Sequence, residues 1–160
     1  MGRATRNALG SEHWANCVRQ NMETADWRSL TPYAQALYPW LKLEWRGPKA
    51  NNNGRIKFSV RQAGRALGIN PKTAAKAMQN LQAKGFLVMT EPARLGGDGQ
   101  GQAPSWEITE IALPQSVPSR PRNLFRRWSE GKDFPVHRAK PQNPKGKNGS
   151  TKIIPMKVVN

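Results

Sequence analysis

The chain has 160 residues, with 26 Lys and Arg against 10 Asp and Glu, a formal charge of +16 and a sequence pI near 11.0. That length suits one domain with a tail, and so basic a balance calls for a polyanionic partner, nucleic acid ahead of an anionic membrane surface. No apolar run approaches a membrane span, no apolar signal-peptide core follows the N-terminus, Arg6 breaks the myristoylation pattern, and the one cysteine, Cys17, cannot form an internal disulfide; a reducing cytoplasm, on the nucleoid, is the expected location.

The charge is unevenly spread. Residues 1–41 are near neutral at +1, residues 42–85 carry ten cations against Glu44, residues 86–113 stand at −3, and residues 114–160 return to +9. The chain divides accordingly into an N-terminal segment (1–23), a folded domain (24–113) and a basic tail (114–160).

Residues 1–23 are polar and weakly patterned. Ser11 is placed to cap a short helix reaching Met22, which sets His13 and Cys17 one turn apart. Two ligands are too few for a metal site, and the other histidine, His137, is far along the chain, so no metal is expected. Residues 24–30 (TADWRSL) read as one helical turn that tucks Trp27 and Leu30 inward. Thr31-Pro32 is a helix start, a capping residue followed by proline at the first helical position. Ala34, Leu37, Tyr38, Leu41 and Trp45 fall on one stripe, Pro39 is expected to kink or break the helix, and Trp40 and Trp45 are expected in the core or between helices. Residues 46–54 (RGPKANNNG) are a loop whose Asn and Gly residues suit turns of positive φ. Arg55–Phe58 alternates polar and apolar, as a short half-buried strand does.

The stretch Ser59–Gly85 then reads as two helices around a tight turn. Ser59 and Gln62 make an S-x-x-Q capping box; Val60, Ala63 and Leu67 share a face; Gly68 ends the helix in a left-handed conformation; Ile69 plugs the angle. Asn70-Pro71 restarts the chain as cap and first helical residue. Ala74, Ala77, Met78 and Leu81 form the buried stripe, Gly85 ends it, and Lys72, Thr73, Lys76, Gln79 and Asn80 are left outside. Ala63 and Gly64 are small enough for a close crossing. Phe86–Glu91 and Ala103–Thr109 read as strands joined by a glycine-rich tip, GGDGQGQ at 96–102, which lacks the strand-before, helix-after setting of a nucleotide-binding loop. Phe86, Val88, Trp106, Ile108, Ile111 and Leu113 supply apolar faces.

Residues 114–160 hold seven prolines among eleven cations and do not bury enough apolar surface to fold alone. Leu124, Phe125 and Trp128 form one apolar cluster, expected to dock on the domain, with base stacking or a protein partner as the alternatives. PKGKNG at 144–149 reads as a solvated arm drawn to a nucleic-acid backbone.

Helix, turn, helix and a two-stranded ribbon, carried by LGINPKTAAKAMQNLQAKGFLV (67–88) and preceded by the short strand RIKFS (55–59), resembles the winged helix-turn-helix family. The resemblance implies an α+β fold, a three-helix core with a small antiparallel β-wing followed by a largely irregular Pro-rich tail, and a second helix that enters the major groove of double-stranded DNA. Base-edge contacts would come from Asn70, Lys72, Thr73, Lys76 and Gln79, and phosphate contacts from Arg46, Arg55, Lys57, Arg61, Arg65, Lys84 and Arg94. A transcriptional regulator is the expected role. A replication-initiation or accessory protein of a phage or mobile element keeps the fold, and RNA or single-strand binding keeps the charge. Many such proteins form homodimers, although no long terminal helix presents itself here. No catalytic triad, HExxH, CxxC or Walker lysine loop is present, and neither an enzyme activity nor a cofactor is expected.

Overall fold

The computed structural model describes residues 15–95 and 101–138. Its helices are α1 (Arg19–Met22), α2 (Ala25–Arg28), α3 (Pro32–Leu43), α4 (Val60–Leu67) and α5 (Pro71–Ala83). Strands are β1 (Ile56–Lys57), β2 (Leu87–Glu91), β3 (Arg94–Leu95), β4 (Gly101–Gln102) and β5 (Ser105–Ile108), and Pro48–Ala50 and Leu124–Arg127 form single 3-10 turns. The class is α+β.

Local chemistry sets the helix ends. Thr24, Thr31, Ser59 and Asn70 each accept a backbone N–H three residues on, and Ser59 with Gln62 completes the reciprocal capping box. At the far ends α4 and α5 stop alike. Gly68 (φ +64°) and Gly85 (φ +80°) take left-handed conformations, Ile69 N–H reaches back to Gly64 O, and Phe86 N–H to Leu81 O. A Cβ on Gly64 would lie 2.9 Å from the Ile69 carbonyl oxygen, which explains glycine in the middle of α4 where the turn crosses it.

Helix α3 runs through Pro39 without a break. Proline forfeits only the one bond to Gln35 O, and burial of Ala34, Leu37, Tyr38 and Leu41 on both sides of it keeps the helix continuous. Trp45 packs partly on the core, but Trp40 does not; it is 44% exposed. The expected N-terminal helix is shorter than its pattern: α1 has four residues and no side-chain cap, and Ser11 and His13 lie outside the described residues.

The sheet is small and antiparallel, in the order β1–β5–β2, with Ile56 opposite Trp106 and Leu87 opposite Ile108. Strands β3 and β4 extend the β2–β5 hairpin as a separate ladder, pairing Arg94 with Gln102. Residues 96–100 of the tip lie outside the described residues. Strands this short do not hold a sheet by themselves, and the loop before β1 braces it. The three asparagines expected to supply positive φ do not; Gly47 (+83°) and Gly54 (+85°) take that role. Asn53 instead is 1% exposed, donates to Ile108 O and Ile111 O, and accepts from Ile108 N–H at 2.8 Å. Asn51 binds the Trp45 indole N–H and Ala112 O, and Asn52 joins Arg46 N–H to Glu44 O.

Four aromatic rings centre the core. Trp27, Tyr38 and Phe86 meet edge to face at 5.5–5.7 Å, and Phe125 stacks on Phe86 at 4.6 Å, nearly parallel. The folded unit therefore continues past residue 113. Residues 114–138, mostly irregular, return across the domain. Arg122 forms a two-pronged ion pair with Glu107, whose side chain is 3% exposed. Asn123 N–H donates to Thr109 O, Phe134 N–H to Ala83 O, and the Gln82 side chain pairs with the His137 backbone. Docking of the Leu124–Phe125 cluster is thus observed. Both side chains are buried, which removes them as a surface for stacking on bases or for a protein partner. The arm at 144–149 lies outside the described residues.

Asn53→Ala should leave Ile108 N–H and Ile111 O without partners, while Ile108 O keeps the Ile111 N–H. At ~1–3 kcal/mol for a buried orphan group, the expected loss by urea denaturation is about 3 kcal/mol or more, against ~1 kcal/mol for Asn52→Ala. Asp133 is held below the usual carboxyl range by the Trp128 indole N–H and then by Lys84. Its lowered folded pKa adds stability that is complete above the ordinary Asp value of about 3.9 and fades as pH falls through the folded value. Melting curves of wild type and Asp133→Asn should accordingly be separated by a constant gap above pH ~5 that closes on acidification.

Candidate functional site

Helix α5 is the element with most chemistry on its surface. Asn70 and Pro71 start it, and its inner stripe, Ala74, Ala77, Met78 and Leu81, is at most 2% exposed. Lys72 and Lys76 stand one turn apart on the outside, both exposed, with Thr73 and Gln79 half-buried beside them. Asn70 is occupied as the cap: its Oδ1 accepts Thr73 N–H at 2.9 Å and the Thr73 hydroxyl at 3.2 Å. The side-chain amide N–H groups of Asn70 have no intramolecular acceptor among the described residues. Asn80, expected outside, accepts Thr31 N–H at 2.9 Å and ties α5 to the start of α3.

The cations expected on phosphate separate into two groups. Arg46, Arg55, Lys57, Arg61 and Arg65 are exposed, as is Lys49, and none has a carboxylate within ion-pair distance among the described residues. The sequence explains this isolation, since no Asp or Glu occurs between Glu44 and Glu91. Arg61 and Arg65 stand one turn apart on α4, as Lys72 and Lys76 do on α5. Lys84 does not belong with them. Its Nζ lies 3.1 Å from Asp133 and 4.0 Å from the centre of the Trp128 ring, and only 15% of its side chain is exposed. A lysine at a helix C-terminus with a carboxylate and an indole face at hand is a structural clamp. Arg94 is exposed on the hairpin arm, where its Nε donates to Gln102 Oε1 at 3.0 Å.

A second polar cluster escaped the sequence reading. Glu110 accepts from the Tyr38 hydroxyl at 2.8 Å, Lys42 Nζ at 3.0 Å and the Asn21 amide at 2.8 Å, and Arg126 reaches Asn21 in turn. Lys42 also donates to Asn16 O. Lys42 and Glu110 are 8% and 10% exposed, and burial beside the Glu110 charge pushes the Tyr38 hydroxyl well above its ordinary value, keeping it a donor. This pair also lines an open cavity of about 500 Å³, together with Val18, Trp45, Arg46 and Pro48. Glu110 accepts from three donors, so the cluster joins the N-terminal segment, α3 and the end of β5.

Among the described residues no group of three or more His, Cys, Asp or Glu is placed to hold a metal ion, and no helix is long and apolar enough to cross a membrane. Comparison with known proteins gives no match to a protein-family model, to a curated protein or to a solved structure.

Proposed function

We propose that the chain is a double-stranded DNA-binding protein of winged helix-turn-helix build, acting as a transcriptional regulator. The observation that carries this reading is the acid-free run from residue 45 to 90, whose exposed cations stand on consecutive elements with two of them on the outer face of α5. Unpaired, solvated cations at this density repel one another unless a polyanion is present. The element order supports the fold reading: a strand, two helices around a tight turn, then a hairpin whose second strand lies between the first strand and its own partner.

On this reading α5 enters the major groove N-terminus first. Lys72 and Lys76 meet base-edge acceptors, Gln79 and Thr73 lie at the margin, and Asn70 contributes its free amide N–H groups while its oxygen holds the helix start. Arg55, Lys57, Arg61 and Arg65 fix register on phosphate, with Arg46 and Arg94 at the periphery. Single-strand binding is the weaker reading, because the two aromatics that favoured it are engaged: Phe125 is buried, and Lys84 lies over one face of the half-buried Trp128.

Selection from a random duplex library should yield a motif bound ~1,000-fold or more tightly than a scrambled duplex. Lys76→Ala is expected to weaken the selected site by about 10- to 100-fold and the scrambled duplex far less. Arg65→Ala should weaken both alike and lower the salt slope by about one. Equal losses for Lys76→Ala on both duplexes would make it a phosphate contact, and single strands competing as well as duplex would replace the reading altogether.

A further inference from the structure

The open cavity of about 500 Å³ lies where four parts of the chain meet: residues 15–18, the end of α3, the turn at 47–48 and the residues after β5. Its size is that of a small-molecule site, which runs to roughly 300–1,000 Å³. Val18, Trp45 and Ile111 give it apolar walls. The Trp45 ring is held in place, because its indole N–H donates to Asn51 Oδ1 at 2.9 Å and the Asn51 amide in turn donates to Ala112 O. Charged side chains line it as well. Lys42 and Glu110 are both nearly buried and lie 3.0 Å apart, so their charges offset each other. Arg46 differs from them. Its backbone N–H is tied to Asn52 Oδ1 at 2.9 Å, but its guanidinium is exposed and without a carboxylate partner among the described residues.

We propose that this cavity binds a small organic acid, a single carboxylate on a flat apolar body. The lining charges select the anion. With Lys42 and Glu110 offsetting each other, the Arg46 cation is left over. A carboxylate matches a guanidinium in shape as well as in sign, since it accepts two parallel N–H bonds. A neutral ligand leaves Arg46 unpaired, a cation is repelled, and a phosphate ester brings nearly two charges where one is offered. The walls select the body. An aromatic ring meets the held indole of Trp45 stacked or edge to face, and Val18 and Ile111 add apolar contact. A bound acid would thus join the N-terminal segment at Val18 to the end of the sheet at Ile111. The site needs nothing from the DNA-binding reading, in which Arg46 is only peripheral.

Titration of the full chain, free of nucleic acid, with phenylacetate, indole-3-acetate and 1-naphthaleneacetate, each beside its neutral amide, tests this. Calorimetry gives the dissociation constants, and the Trp45 indole N–H resonance reports the place. At least one acid is expected to bind at millimolar concentration or below, to shift that resonance, and to bind ~10-fold or more tightly than its amide. Arg46→Gln should remove that preference, and Val18→Trp, which fills the cavity, should abolish binding. Lys132→Gln takes a charge from an exposed position outside the lining and should change nothing, which separates the site from the general pull of a +16 chain. Because Arg46 is exposed, Arg46→Gln should melt with the wild type, so the test stands whether or not Val18→Trp folds. No binding by any of the acids overturns the proposal. So does an acid bound no better than its amide, or one whose affinity ignores Arg46→Gln. Each of these failures leaves the DNA-binding reading untouched, since no nucleic acid takes part.

Discussion

The joint at Gly85 is the constraint on which the rest of the molecule depends. Three things must happen within two residues: α5 must stop, the chain must turn into β2, and the returning C-terminal segment must pass over both. Gly85 meets the first two by taking φ +80°, and the third by having no side chain. A Cβ there would come within 2.7 Å of the Phe134 ring and 2.9 Å of the Phe125 backbone nitrogen. Its carbonyl accepts the buried Thr109 hydroxyl at 2.6 Å, and the next residue, Phe86, exchanges backbone contact with Thr109 and stacks on Phe125. The end of α5, the end of β5 and the irregular segment after it thus converge on one backbone atom group. The direction in which α5 leaves the core is set there, so the orientation of Lys72 and Lys76 depends on residues as distant in sequence as Phe134.

Buried polar groups do the work that longer strands do in larger sheets. With β1 reduced to two residues, few ladder bonds hold it, and the side-chain amides of Asn51 and Asn53 replace the missing ones by bonding backbone groups at the end of β5, while Asn52 ties the loop back to the end of α3. Glu107 and Glu110 extend the same device to the segments on either side: Glu107 fastens Arg122, and Glu110 fastens Tyr38, Lys42 and Asn21. Such networks are satisfied only in one arrangement, which makes them specify a unique structure even where the net stabilisation of each pair is small.

This division also marks what could be read from the sequence. The capping box at Ser59, the left-handed Gly68, the cap at Asn70 and the stripe through Leu81 were all legible, because each rule involves residues within one or two helical turns. The partners of Asn53, Tyr38 and Lys84 are 55, 72 and 49 residues away. No window holds both members, and a run of three Asn before a Gly has the signature of a turn. Pro39 shows a related limit: its cost is local, but the burial that keeps the helix continuous is tertiary. Trp40 was placed inward because an aromatic on an amphipathic helix is usually buried.

Lys84 and Lys76 show why a count of cations does not define an interface. Both belong to the same acid-free run and to the same helix, two turns apart. Lys84 sits at the C-terminal end, where the helix dipole favours a cation and the last carbonyls leave room for a neighbouring chain to bind back. Residues 128–134 do so, bringing Asp133 and the Trp128 ring. Lys76 has no such neighbour, and Lys72 stands at the opposite end, where the dipole disfavours a cation. A lysine kept in the first turn of a helix, with no carboxylate near it among the described residues, gains nothing from the folded chain alone. On the proposed reading a negative charge brought from outside would offset that, which is why the N-terminal half of α5, and not its whole length, is the part to set against a polyanion.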